Sequence, residues 1–287
     1  MTDGEGGRNG PPPDGTPTGS RRALVLAYDG TGYCGWQLQP GVPTLQGTVE
    51  AALERILGGA VRVHASGRTD AGVHALGQVA HFDDPGDRDP EALRPVLNAV
   101  LPAAIRVRRL LAVPPTFHAR GSARSKTYLY HWHLTDEPGG RRAVERSVPP
   151  LRRLAFLGVR SGLDLGAMRA AARHLEGTHD FTALSKTMPA ARGTVRTVHS
   201  VRLLRLPRGL RLVVTGEGFL YGMVRMMAGL LLDVGEGRRA AADVPALLEA
   251  ADRTRAPPSL APHGLILWRV RYGPLPGVGA ETLRLLS

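Results

Sequence analysis

A single cysteine, Cys34, excludes an internal disulfide and a cysteine-rich zinc site. It is expected as a small packed or strand-end residue and not as a nucleophile. No apolar run reaches the roughly 18 residues that a spanning helix needs. The longest, Phe219 to Val234, carries Arg225 and Asp233, so no membrane segment is expected. Met1 to Ser20 has no apolar stretch of the signal-peptide kind and is rich in glycine and proline, which predicts a disordered tail and, by default, a cytoplasmic protein. Lysine is nearly absent. Lys126 and Lys186 are the only two, and 35 of the 37 basic residues are arginines. GC-rich coding explains arginine in place of lysine, but not the excess of basic over acidic residues. A net charge of +12 points to a polyanionic partner, of which nucleic acid is the commonest.

What is present is an interior. With 287 residues and 43% hydrophobic content, the chain can form one large domain or two modest ones. Ala23 to Asp29 reads as a buried strand ending in the turn Gly30-Thr31-Gly32. Thr44 is placed to cap a helix over Leu45–Leu57, which Gly58-Gly59 stops, and Pro90 opens a second helix to Val100. Ile105 to Val113 is another strand, so residues 21–113 read as an α+β domain. Lys126 to His133 alternates, with Tyr128, Tyr130 and Trp132 on one face and Leu129, His131 and His133 on the other. Asp136 to Gly162, with six arginines, reads as a long basic loop. A helix from about Asp164 to Leu175 follows, then a turn at His179-Asp180-Phe181. Thr194 to Leu206 and Leu210 to Glu217 form a hairpin about Pro207-Arg208-Gly209. Phe219 to Val234 is an apolar helix, Ala241 to Ala251 a last helix, and Gly264 to Val270 a last strand.

The stretch that carries chemistry is Gly67-Arg68-Thr69-Asp70-Ala71-Gly72-Val73-His74-Ala75. Val61 to Ala65 alternates before it and Gly77 to Asp83 can be extended after it, which puts Asp70 on a loop between two strands. Glycines on both sides of a carboxylate permit unusual backbone angles and close approach of a ligand. Arg68, two positions earlier, can pair with Asp70 if their side chains meet. For the bare Asp-Ala-Gly, a tight turn whose aspartate caps its own backbone is an equal reading. Arg225 poses the converse problem. The helical pattern surrounds it with Met223, Val224, Met226, Met227 and Leu230, and a buried guanidinium needs a partner. It can snorkel, pair with a structural acid such as Glu217, or serve a site.

Together these strings resemble the tRNA pseudouridine synthases of the TruA family. The match runs in order through Tyr28 to Gln37, the Asp70 loop, Phe117 to Arg120, the Tyr128 strand, Val195 to Val198 and Met223-Val224-Arg225. It leaves Asp136 to Gly162 unmatched. The resemblance implies two pseudo-symmetric α+β halves with mainly antiparallel sheets flanking a basic cleft, residues 114–287 completing what 21–113 begin. It implies Asp70 as the catalytic carboxylate, Tyr128 as the active-site tyrosine against the extruded base, and Arg225 beside Asp70. Arg68 would fill the vacated space or hold phosphate. It further implies isomerisation of uridine to pseudouridine at positions 38, 39 and 40 of the tRNA anticodon arm by a homodimer, with no cofactor and no metal.

Two other classes fit parts of the chain. A metal-dependent RNA hydrolase could draw on His64, Asp70, His74 and His81, but His64 and His81 are expected on different strands flanking the loop. A non-catalytic RNA-binding protein needs only the charge and the aromatics. A carboxylate in an RNA cleft argues against it, since it repels phosphate.

Overall fold

The structure is a computed structural model that describes residues 20–136, 156–186 and 193–287. The expected tail and most of the Arg-rich loop lie outside these. The strands are β1 (Ser20–Tyr28), β2 (His64–Ala65), β3 (His74–Asp84), β4 (Ile105–Ala112), β5 (Ala123–Thr135), β6 (Leu157–Arg160), β7 (Gly177–Asp180), β8 (Val195–Leu206), β9 (Gly209–Gly216) and β10 (Leu265–Tyr272). They form one sheet in the order β4-β1-β3-β10-β5-β9-β8-β7, with β2 paired to β3 and β6 to β5. The sheet is mainly antiparallel; β3–β10 and β5–β6 are its parallel pairs among the described residues. The helices are α1 (Leu45–Leu57), α2 (Pro90–Val100), α3 (Leu165–Arg173), α4 (Met223–Gly235), α5 (Asp243–Ala250) and α6 (Ala280–Leu286). The fold is the expected α+β one; α2 packs on β4, α3 on β8 and α4, and α6 on β10.

Local chemistry accounts for most boundaries. The Thr44 hydroxyl accepts from the Gly47 amide at the start of α1, and Gly58 ends the helix with φ +77°. Asp89 caps α2 ahead of Pro90. Pro207 and Arg208 close the β8–β9 hairpin, Leu206 pairing with Gly209. Helix α4 is buried on nearly every side, so its apolar all-round sequence reflects burial within the protein. No described helix is long and apolar enough to cross a membrane.

Several expectations need correction. Within the stretch read as a basic loop, Leu157–Arg160 is a strand, because β5 runs on to Thr135 and offers it a parallel edge. His179-Asp180 belongs to strand β7, paired with β8 from Gly177↔Val198 to Asp180↔Val195, and is not a turn. The helix before it is shorter than expected, Leu165–Arg173. Only His64–Ala65 of the alternating run before the Asp70 loop pairs as a strand. Helix α6 follows what was read as the last strand. Cys34 is exposed in the loop after β1, neither packed nor at a strand end.

The strand that decides the site is β10. Leu267 faces Ala75 of β3 on one side and Tyr128 of β5 on the other. This register brings Tyr128 beside the start of β3, where the Asp70 loop ends. On the far side of β3, Arg21 and Asp83 are opposite in the β1–β3 ladder and form two hydrogen bonds, Nε to Oδ1 at 2.8 Å and Nη2 to Oδ2 at 3.0 Å. The bond to Arg21 holds the Asp83 carboxyl below its ordinary 3.8. The folded pKa is the lower one, so this stabilisation is complete above the unfolded value and is lost as pH falls through the folded value. Asp83→Asn should therefore lower the urea midpoint at pH 7 and reduce the loss of stability between about pH 5 and 3. Identical acid limbs for parent and variant would rule out this contribution.

Candidate active site

Asp70 stands on the loop between β2 and β3, and the loop is fixed from three directions. Beneath it, the Tyr28 and Thr69 hydroxyls are 2.9 Å apart, and buried Gln78 donates to the Gly67 carbonyl at 2.8 Å and to the Tyr28 oxygen at 3.3 Å while accepting from Ser66. Beside it lies the loop after β1. The Trp36 amide donates to the Thr69 carbonyl at 3.0 Å, and the Gly72 amide to the Tyr33 carbonyl at 3.3 Å. Gly35 makes this approach possible. Its φ is +90°, and a Cβ there would come within 2.7 Å of the Thr69 carbonyl oxygen. Trp36 is accordingly buried and packs on Tyr28 at 6.1 Å, so it serves as an anchor and not as a stacking platform. Within the loop, the Val73 amide closes on the Asp70 carbonyl at 3.1 Å.

From the third direction comes Arg225. Its Nη1 donates to Asp70 Oδ2 at 3.0 Å, the contact expected from the sequence, and its Nε donates to the Leu260 carbonyl at 2.7 Å. The two side chains are 10% and 16% exposed, so the ion pair is largely removed from water. Gly222, with φ +73°, turns the chain into α4 three residues before Arg225, which sits in the first turn of an otherwise apolar helix. The partner of Asp70 is thus Arg225. Arg68 makes no ion pair with it; its side chain is exposed and lines a neighbouring cavity of ≈ 680 Å³.

Tyr128 faces the same carboxylate. Burial, then the neighbouring Tyr28 and Asp70, raise its phenol well above the ordinary range. The ring meets Phe219 edge-on at 5.2 Å, which fixes its plane. Tyr130 is a packing residue, fully buried with its hydroxyl on the Ala261 carbonyl at 2.8 Å.

His64 and His81 stand on different strands flanking the loop, as expected; the pairing of β2 with β3 sets them opposite each other, stacked at 5.1 Å, and His118 lies 4.7 Å from His81. Nδ1 of His81 accepts from the Ala119 amide, and Nδ1 of His118 from the amides of Arg120 and Gly121. Burial, then the surrounding cations, push His81 down to about 4. His74 turns elsewhere, towards Asp29 and the Gly30 amide. The four residues of the hydrolase reading are therefore not brought together. Among the described residues no group of three or more histidine, cysteine or carboxylate side chains is placed to hold a metal.

Reading the sequence missed three contributors. Leu260 supplies the carbonyl that orients Arg225 and carries no sequence signal. Lys126 lies against Gly67 of the loop, and Lys186 is near enough to Asp70 and Arg225 to feel both charges. Lys186 lies 5.7 Å from the centre of the Tyr221 ring, and burial and Arg225 lower its pKa while Asp70 raises it. Their rarity among 35 arginines was the available clue.

A family model described as tRNA pseudouridine synthase matches residues 24–120 and 171–273. The chain is 42% identical over 252 residues to tRNA pseudouridine synthase A of Exiguobacterium sp. strain AT1b, covering 88% of this chain and 98% of that one. It is 43% identical over 250 residues to the protein of the same name from Geobacter sp. strain M21, covering 87% and 97%. With the Chlamydia muridarum protein of that name the identity is 41%, over 87% of this chain and 91% of the other. A two-segment family match that spans the Asp70 loop, and relatives above 40% identical over most of both chains, give one conclusion: the chain belongs to the tRNA pseudouridine synthase family, isomerases that convert uridine to pseudouridine in tRNA.

Proposed function

We propose that this enzyme modifies uridines 38, 39 and 40 in the anticodon arm of tRNA, with Asp70 as the catalytic group and Tyr128, Arg68 and Arg225 as substrate-binding residues. The observation that carries the reading is the Asp70–Arg225 ion pair, 3.0 Å long and largely buried, beside a protonated tyrosine. A carboxylate anchored by one oxygen presents the other to a ligand in a fixed direction.

The isomerisation breaks the C1′–N1 bond, forms C1′–C5, takes a proton from C5 and returns one to N1. No oxidant, reductant or second substrate enters. A carboxylate opens the sequence either by attack on C1′ or by removing a sugar proton, and both need the same placement against the sugar. A uridine stacked within a stem cannot reach Asp70. It is flipped out at a cost of a few kcal/mol, with Tyr128 against the base and Arg68 towards the space it leaves. Residues 21–113 and 114–287 act as the two walls of the cleft, and two copies of the chain together hold one tRNA.

Incubation with unmodified tRNA, followed by position-resolved detection of pseudouridine, tests the proposal. Product is expected in the anticodon arm, and its absence there overturns the assignment. Asp70→Asn is expected to bind tRNA nearly as the parent does and to give no product; turnover above background would remove Asp70 from the chemistry.

Arg225 gives a second test. Its guanidinium bonds Asp70 and the Leu260 carbonyl at once, a fork that an ammonium cannot reproduce. Arg225→Lys should fold and lose about 100-fold in kcat, because a carboxylate misplaced by roughly 1 Å loses that much. Arg225→Met leaves Asp70 buried without its cation and should lower stability by about 3 kcal/mol in urea unfolding. A parental rate for the lysine variant would refute the positioning role.

A further inference from the structure

The segment that leads into α4 touches the site twice. Phe219 meets the Tyr128 ring edge-on at 5.2 Å, and Arg225 bonds Asp70 at 3.0 Å. Tyr221 lies between these two in the chain and is 51% exposed. Among the described tyrosines, tryptophans and phenylalanines only Tyr221 and Trp268 are exposed, and a ring left in water forgoes the burial that holds the others. Lys186 holds Tyr221 in place. Its amide donates to the Tyr221 carbonyl at 2.9 Å, and its ammonium lies 5.7 Å from the ring centre, within cation–π range. Gly222 permits this approach: its φ is +73°, and a Cβ there would come within 2.9 Å of Lys186 Cγ and Cδ. The charges of Arg225 and Asp70 both act on the Lys186 ammonium, so ring and lysine stand at the mouth of the Asp70 site.

An extruded uridine leaves its neighbours in the strand without a stacking partner, and an exposed aromatic ring beside the site can replace one. Resting on the tRNA reading above, we propose that Tyr221, braced by Lys186, stacks on the base of a nucleotide adjacent to the extruded uridine. Stacking needs no hydroxyl and reads no base edge, so the contact holds the strand whichever base flanks the target. The ring is fixed before RNA arrives, and little ordering entropy is lost when a base settles on it.

The test uses the full chain with unmodified tRNA. Tyr221→Phe keeps the ring, Tyr221→Leu keeps apolar bulk without it, and Tyr221→Ala removes both. The leucine and alanine variants are expected to raise KM about tenfold with kcat within about twofold of the parent, and the phenylalanine variant to stay within about twofold in both. The slope of log affinity against log salt should be the same for the parent and every variant, since the contact carries no charge. Stacking itself is read in the Asp70→Asn background, with 2-aminopurine placed on either side of the target uridine. Its fluorescence at one of the two places should be lower when the tyrosine is present than in the Tyr221→Leu protein. Parental KM in the leucine and alanine variants, or equal fluorescence with and without the ring, would overturn the platform. A fall in kcat at unchanged KM would overturn it equally, since it would assign the ring to the placement of Asp70. A phenylalanine variant as weak as the leucine one would assign the contact to the hydroxyl and overturn stacking. Should the alanine variant not fold, the leucine variant carries the same reading. Pseudouridine formation by the parent in the same samples separates the two claims: a productive parent with unaffected leucine and alanine variants removes only the platform, whereas an unproductive parent removes the tRNA reading itself.

Discussion

Strand β10 is the constraint on which the site depends. It arises from the last part of the chain yet pairs with β3 on one edge and β5 on the other. Leu267, opposite both Ala75 and Tyr128, joins three segments that are far apart in sequence. Without it the sheet would be two smaller ones, and the Asp70 loop and Tyr128 would have no common frame. The parallel seam to β3 is two residue pairs long, so its precision comes from the buried side chains packed around it and not from ladder length.

On that frame the polar groups of the site are held by buried contacts. Thr69 rests on Tyr28, Gly67 on Gln78, and Arg225 on the Leu260 carbonyl. Burying polar groups is costly unless each is hydrogen-bonded, and such networks yield a single arrangement when they are satisfied. The price of the Asp70–Arg225 ion pair is desolvation of two charges, and what is gained is direction. The same principle applies to the glycine-rich loop after β1. It lies within contact distance of the Asp70 loop backbone, which Gly35 against Thr69 and Gly30 against Val73 permit.

The cationic groups divide into two kinds. Arg21 and Arg225 are paired with acids and fix structure. Arg68 lines a recess that no aspartate or glutamate lines, next to the Asp70 loop. An excess of positive charge spread over a surface attracts any polyanion.

Much of this was legible in the sequence, because it depends on local chemistry. Helices α1 and α2 agree with expectation to the residue, since Thr44, Gly58 and Pro90 are end signals that act within one turn. The β8–β9 hairpin follows from Pro207 and Arg208, and the Asp70 motif from its glycines and its order among other motifs. A guanidinium in an apolar helix demanded a partner, and it was the family resemblance that pointed to Asp70 among the alternatives. Tertiary structure alone decided the rest. Strand β6 exists because β5 offers an edge, β7 because β8 does, and neither signal lies within the segment itself. The meeting of His64, His81 and His118, the exposure of Cys34 and the absence of an Arg68–Asp70 ion pair are likewise products of register and packing. Sequence determines what a residue can do over a few neighbours; which distant groups surround it is fixed by strand pairing and burial.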